Sequence, residues 1–218
     1  SGVGHGPCAT LALYEENDAM ETDHVIRGPV PSYDELAALP TDELVARYAL
    51  GVERIDKRVF ELDDDLLDTA FLESAGVGKW PIRVLIGHLA DGEILNTYRL
   101  RRIAAEDGPV FEGFDPDPYI DNGLYQVQPI GGSGDSARAA CGAFVATIHT
   151  IRAWTHGWLQ TVEDATWERK GLHTVRGEFT FRRMLGLATW HIEHHASFLP
   201  KKVDLLLGKN GSDQGSPS

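Results

Sequence analysis

Residues 190–198, WHIEHHASF, place three histidines within five positions, between Trp190 and Phe198. Imidazole ligates transition metals and carries protons near neutral pH. Such a run therefore offers a metal site, an acid/base cluster or a histidine-rich flank on an ordinary helix. Spacing narrows the choice. On a helix, residues i and i+4 lie on one face about one turn apart, so His191 and His195 can both reach one ion. The likeness to H-E-x-x-H is superficial: Ile192 stands where that motif keeps its general base, and Glu193 lies roughly 200° around the helix from either ligand candidate. The zinc-protease reading is rejected on that ground. His194 can replace His195 in an i, i+3 pair with His191, or stand beside the pair as a supporting group.

A third ligand must come from elsewhere, and His88 in VLIGHLADGE is the best candidate. It follows Val84 and Leu85 by about a turn, on or beside an apolar stripe. Alone, such a histidine is better explained by a core hydrogen bond; with a histidine pair on another core helix, a ligand role is favoured. Three neutral imidazoles leave an ion its full charge and an open position. That ion lowers the pKa of bound water, or activates a thiol by binding it as thiolate. Nitrogen ligands suit zinc, nickel, iron or copper rather than calcium or magnesium. Asp91, close to one turn beyond His88, orients a ligand or a water, or is a solvated helix acid. Glu93 reads as a surface or interface acid. His149 and His156, seven apart on one helix, read as structural. His173 is an exposed loop residue or part of the site. Tyr119 and Tyr125 either line a pocket above the metal or pack within their loop.

The elements that must position these groups are helices. Ser32 and Glu35 have capping-box spacing for a short helix ended by Pro40. Thr41 is a good N-cap, and Leu44, Tyr48, Val52, Ile55, Val59 and Leu62 form one stripe on a helix of roughly six turns. Pro81 suits the first position of a second helix, running to about Glu106. Residues 107–134 form a long connection rich in Pro, Gly and aromatics, and IGGSGD at 130–135 lacks the lysine of a phosphate loop. A third helix runs from Asp135 or Ser136 to about Leu159, burying Ala140, Phe144, Ile148, Ile151 and Trp158. A polar connection covers 161–177. Thr180 caps a fourth helix, Phe181 to Leu199, which Pro200 bends or ends. There are no repeats and no strand-like alternation of useful length. The expected fold is all-α, a four-helix bundle with long crossover connections. It occupies residues 32–207 as one domain, after a flexible arm at 1–31 and before a disordered tail at 208–218.

Composition excludes several classes. Lys and Arg number 20 against 33 Asp and Glu, for a net charge of −13 that stays negative even with all nine histidines protonated. With no basic run, neither nucleic acid nor an anionic membrane surface is an expected partner. No apolar run approaches the ~20 residues of a membrane helix. The N-terminal stretch lacks a basic n-region, so no signal peptide is expected. Two cysteines, Cys8 and Cys141, form no framework and fit a reducing compartment, the cytoplasm.

Three segments together carry a resemblance: W-P-x-x-x-x-x-G-H-L-A-D at 80–91, H-T-V-R-G-E-F-T at 173–180 and W-H-I-E-H-H at 190–195. In order, spacing and helix placement they resemble the DinB/YfiT-like superfamily, over roughly residues 41–207. The resemblance implies a four-helix bundle with nickel or zinc at one end, held by His88, His191 and His195. It also implies chemistry of the family's kinds: thiol-dependent transfer or isomerisation with a low-molecular-weight thiol as cosubstrate, or hydrolysis. The sequence thus points to a metal-dependent enzyme in which thiol or water attacks a small electrophilic substrate. The alternative is a non-catalytic bundle that binds a ligand or partner, its metal structural or absent. A homodimer is expected.

Overall fold

The computed structural model describes residues 30–126 and 136–208. The arm expected over 1–31, but for Val30 and Pro31, lies outside them. So do Cys8, the Gly-rich 130–135 and the tail beyond Gly208.

Helix α1 (Tyr33–Ala37) starts with the expected capping box: Glu35 N–H donates to Ser32 Oγ, and Ser32 N–H donates to the Glu35 carboxylate at 2.8 Å. Helix α2 (Thr41–Leu50) has Pro40, not Thr41, at its N-cap. The single six-turn helix expected from 41 to 62 is not formed. The chain passes into a 3-10 turn at Gly51–Arg54, extends at Ile55, and makes a second 3-10 turn at Lys57–Glu61. Asp56 is one cause: its carboxylate accepts from Arg58 N–H at 3.0 Å, a local bond that competes with helix. The stripe still buries Ile55, Val59 and Leu62, because a 3-10 turn repeats at three residues and keeps the i+3 partners together.

A short helix α3 (Asp64–Leu67) leads to the long helix α4 (Ile82–Ala105), with Pro81 at its N-cap. Then come strand β1 (Val110–Phe111), the short helix α5 (Asp117–Asp121) and the long helix α6 (Ala137–Leu159), whose N-cap Ser136 accepts from Ala139 N–H. Of the residues expected inside on α6, Ala140 and Ile148 are buried, while Phe144, Ile151 and Trp158 are half-buried. Strands β2 (Lys170–His173) and β3 (Gly177–Thr180) follow, then α7 (Phe181–Ala196) and α8 (Leu199–Leu206). Thr180 caps α7 as expected, accepting from Arg183 N–H at 3.1 Å.

The fold is a four-helix bundle: α4 packs on both α6 and α7, and α2 closes the other side against the same two helices. The small sheet is a departure from the all-helical reading. Its order is β1-β2-β3, with β1 parallel to β2 (Val110 against Leu172, Phe111 against His173) and β2 antiparallel to β3. No described helix is long and apolar enough to cross a membrane.

The core has two apolar clusters. One gathers Leu85, Leu89, Ile148, Ile192 and Leu199; the other Tyr48, Leu100, Leu159, Leu185 and Ala188. Where they meet, Arg152 of α6 bonds the Glu93 carboxylate of α4 at 2.7 Å, the Ala188 carbonyl of α7 at 2.9 Å, and the Tyr48 carbonyl of α2. Glu93, expected at the surface, is 3% exposed.

Lys202 of α8 fastens the segment before α4. Its Nζ donates to Trp80 O at 2.7 Å and Gly78 O at 3.2 Å, and sits 4.0 Å from the Phe71 ring centre. Burial lowers its pKa from 10.5 to about 8. Between those values the unfolded chain binds the proton that the folded chain has lost, so this group's contribution to stability rises with pH. Urea unfolding at pH 7.5 and pH 10 should therefore move wild type upward relative to Lys202→Met; parallel behaviour of the two proteins would refute the assignment.

Candidate metal centre

His88 is set by the apolar periodicity of α4, which turns Leu85, Ile86 and Leu89 into the core and leaves His88 buried at the edge of that stripe. His191 and His195 come from one face of α7, one turn apart, where the helix passes α4. Their ring centroids lie 4.8 Å from each other and 4.9 Å each from His88. One ligating atom from each of the three falls within 4.8 Å of the others. His88 Nε2 and His191 Nε2 are 3.0 Å apart. Two nitrogens bound to a tetrahedral zinc are separated by about 3.3 Å, given bond lengths of 2.0–2.1 Å. The pair thus fits one ion, and His195 belongs to the same cluster.

The electrostatics suit ligation. Burial pushes His88 down to about 4. Burial, then the neighbouring His88 and His194, pushes His195 to about 3. His191 is held well below its ordinary value by burial and by His195. All three rings are therefore neutral near pH 7, the form that binds a cation. No carboxylate or thiolate joins the cluster among the described residues, so a divalent ion keeps its full charge and a free position. His88 Nδ1 is buried without a hydrogen-bond partner among the described residues. Its ring is held instead by aromatics: Phe114 stacks nearly parallel at 5.8 Å and Trp80 meets it edge-on at 5.0 Å.

Gly92 makes room for His191. A Cβ built at Gly92 would overlap the His191 ring. Gly92→Ala should therefore push that ring aside and weaken metal affinity about 10- to 100-fold, the range seen when ligand support is lost. The helix itself gains from alanine. Competition against a chromophoric chelator measures this; unchanged affinity would show that His191 is not held there.

The other residues singled out by sequence are placed as follows. Glu193 faces away from the cluster, its carboxylate accepting from Arg47 at 2.8 Å and paired with Arg54 at 3.3 Å. His194 stacks on Trp190 at 4.6 Å and stands outside the three-ring cluster. Asp91 accepts from the Tyr125 hydroxyl at 2.9 Å; burial raises the pKa of both groups. Tyr119 packs edge-on against Phe114 at 5.1 Å and is partly exposed. His173, on β2, is buried and lines the same cavity as the three histidines. His149 is exposed on α6, and His156 is half-buried near the helix end. Cys141 is buried, and burial pushes its thiol up to about 12, so it is not a nucleophile for this site.

The cavity over the cluster holds about 310 Å³ and extends from the histidines along α4 past Gly92 and Asn96 to Arg99 and the β2–β3 turn. Sequence reasoning passed over Asn96, Arg99 and Arg176. For Asn96 and Arg99 the signal was the helical spacing Gly92–Asn96–Arg99, which continues the His88 face; for Arg176 it was its place in H-T-V-R-G-E-F-T at 173–180.

A profile of the DinB superfamily matches residues 33–199. A protein of Oceanobacillus iheyensis, named with a provisional assignment as a metal-dependent hydrolase, is 25% identical over 144 residues, covering 65% of this chain and 73% of its own. The metal-dependent hydrolase YfiT of Bacillus subtilis, named with the same reservation, is 24% identical over 147 residues, covering 67% and 74%. Among solved structures, YfiT superposes with a TM-score of 0.63 at 18% identity, over 77% of this chain and 87% of that one; it is described as having an unusual four-helix bundle topology. A mycothiol-dependent maleylpyruvate isomerase superposes with a TM-score of 0.51 at 19% identity, over 78% and 63%. At such identities the structural likeness speaks for the fold alone.

Proposed function

The chain belongs to the DinB superfamily, and from that premise we propose that it is a metal-dependent enzyme. His88, His191 and His195 hold one divalent transition metal, zinc or nickel, and a thiol or water attacks a small electrophilic substrate in the adjoining cavity. When bound, the ion supplies a Lewis acid that makes a thiol or water nucleophilic at neutral pH. The observation that carries this reading is the three-ring cluster, open on one side to a cavity of about 310 Å³. Support for an activated water or thiol comes from the names of the similar proteins, metal-dependent hydrolases and a mycothiol-dependent isomerase.

The chain's own residues have definable tasks. The three imidazoles stay neutral and present nitrogen lone pairs. Trp80 and Phe114 wall the rings from bulk water and hold the His88 plane. Cys141 is buried and protonated, so it supplies no attacking thiol, and the thiol in this reading is a cosubstrate's. The two apolar clusters carry the fold without the histidines, which favours a catalytic ion over a structural one.

The test is metal content by mass spectrometry on untagged protein, followed by a screen of thiols and water against small electrophiles. About one transition metal per chain, with turnover that stops on chelation and returns on reloading while the helical signal persists, is expected. Absence of metal even after reconstitution, or unfolding on chelation, would overturn the reading.

A further inference from the structure

The end of the cavity remote from the histidines is cationic and, among the described residues, lacks a counter-charge. Arg99 is only 6% exposed, yet among the described residues it forms no ion pair. One of its N–H groups reaches Asn96 Oδ1 at 3.3 Å and another the Glu112 carbonyl; its Nε is buried with no acceptor among the described residues. A buried guanidinium ordinarily meets a carboxylate, because leaving such a charge uncompensated is costly. Arg176, on the β2–β3 turn, has no ion pair among the described residues either and lines the same cavity.

His173 completes the group. Its Nδ1 accepts backbone N–H groups from Val175 at 3.2 Å and Arg176 at 3.3 Å. That fixes the neutral ring's proton on Nε2, making this nitrogen a donor. The three side chains sense one another: burial, then Arg176, lowers the pKa of Arg99, and burial, then Arg99 and Arg176, lowers that of His173. Asn96 gives its oxygen to Arg99, so its amide hydrogens are also available. Every group at this end donates, and no carboxylate among the described residues lines the cavity.

We infer that the cavity is two-ended, and that it takes a small organic substrate whose anionic head group, a carboxylate or a phosphate ester, docks on Arg99, Arg176 and His173. The carbon skeleton then runs along Leu95 and Phe114 toward the three histidines. On α4, His88 and Arg99 stand eleven residues apart, about 16 Å along the axis, and the Arg99 guanidinium shortens that span by reaching back to Asn96. Guanidinium forks match either oxyanion. The inference rests on reading the cavity as the substrate chamber of the metal centre. The docking end can nevertheless be tested without metal.

The experiment is fluorine NMR titration of the full chain, metal-loaded and chelator-stripped. The probes are 4-fluorobenzoate, 4-fluorophenyl phosphate and the neutral 4-fluorobenzamide. At least one anion should bind about tenfold or more tightly than the amide, in both forms of the protein, as one charge-assisted contact provides. The tighter of the two anions identifies the head group. Arg99→Gln should bring the preferred anion to within about twofold of the amide, and Arg176→Ala should weaken it about threefold or more. Because Arg99 is buried and its variant can fail to fold, exposed Arg176 carries the test by itself. Equal binding of anions and amide, no binding of either anion in the millimolar range, or an affinity for the preferred anion that is unchanged in Arg176→Ala would overturn the inference. So would a preference found only with metal present, since the anion would then sit on the ion. A protein that holds no metal would defeat the enzyme reading and leave the stripped-protein result standing.

Discussion

Replacing His191 by alanine is expected to abolish stoichiometric metal binding while the protein stays folded. The ring supplies the nitrogen nearest His88, at 3.0 Å. Loss of an outer supporting group costs 10- to 100-fold in affinity, so loss of a ligand itself should exceed about 100-fold, with activity falling in step. Stability should change little, because His191 belongs to neither apolar cluster and its removal opens space into an existing cavity. His194→Ala provides the contrast: that ring stacks on Trp190 at 4.6 Å, and its loss should leave metal content intact. Mass spectrometry of both variants decides the matter. Full occupancy in His191→Ala would sink the three-histidine centre.

Arg152→Ala should be the most damaging single change to stability. The residue is 1% exposed and joins four helices through Glu93, Tyr48 O and Ala188 O. Truncation leaves the Glu93 carboxylate buried without its cation, with the Tyr48 hydroxyl still donating to it. Breaking one side of a buried pair costs about 3–5 kcal/mol, which lowers Tm on the order of 10 °C for a chain of this length. The double variant Arg152→Met, Glu93→Leu should recover most of the loss, since apolar replacement removes both buried charges together. Urea unfolding of the three proteins measures this. A double variant no better than Arg152→Ala would show that the cost lies in packing rather than in the unpaired charge.

The sequence carried the histidine centre because its information is local. An i, i+4 pair identifies a face, and His88 sits on a stripe whose period is equally plain. Helix caps were legible for the same reason, at Ser32 and Thr180. What was hidden depends on partners far apart in the chain. Glu93 reads as a surface acid until Arg152 lies against it, and no periodicity reports that meeting. Arg99 reads as one more helix cation until Glu112 folds its carbonyl, and not its carboxylate, onto the guanidinium. The three strands have two to four residues each, too short for alternation to stand out. The break after Leu50 was masked because 3-10 turns and a helix share the i+3 repeat that the stripe displays.

The β1–β2 seam gives the cavity two walls of unequal permanence. The α4–α7 wall bears the histidines inside regular helix and a packed core. The opposite wall hangs on few bonds, among them Leu172 N–H to Pro109 O at 2.8 Å and Thr174 N–H to Phe111 O at 2.9 Å. Val110, Leu172 and Val175 there remain exposed. Segments with so few buried contacts open well below the free energy of global unfolding. In native-state hydrogen exchange, the amides of Leu172 and Thr174 should therefore take up deuterium long before those of mid-α4. The side bearing His173 and Arg176 can then swing clear to open the cavity while the three histidines keep their places.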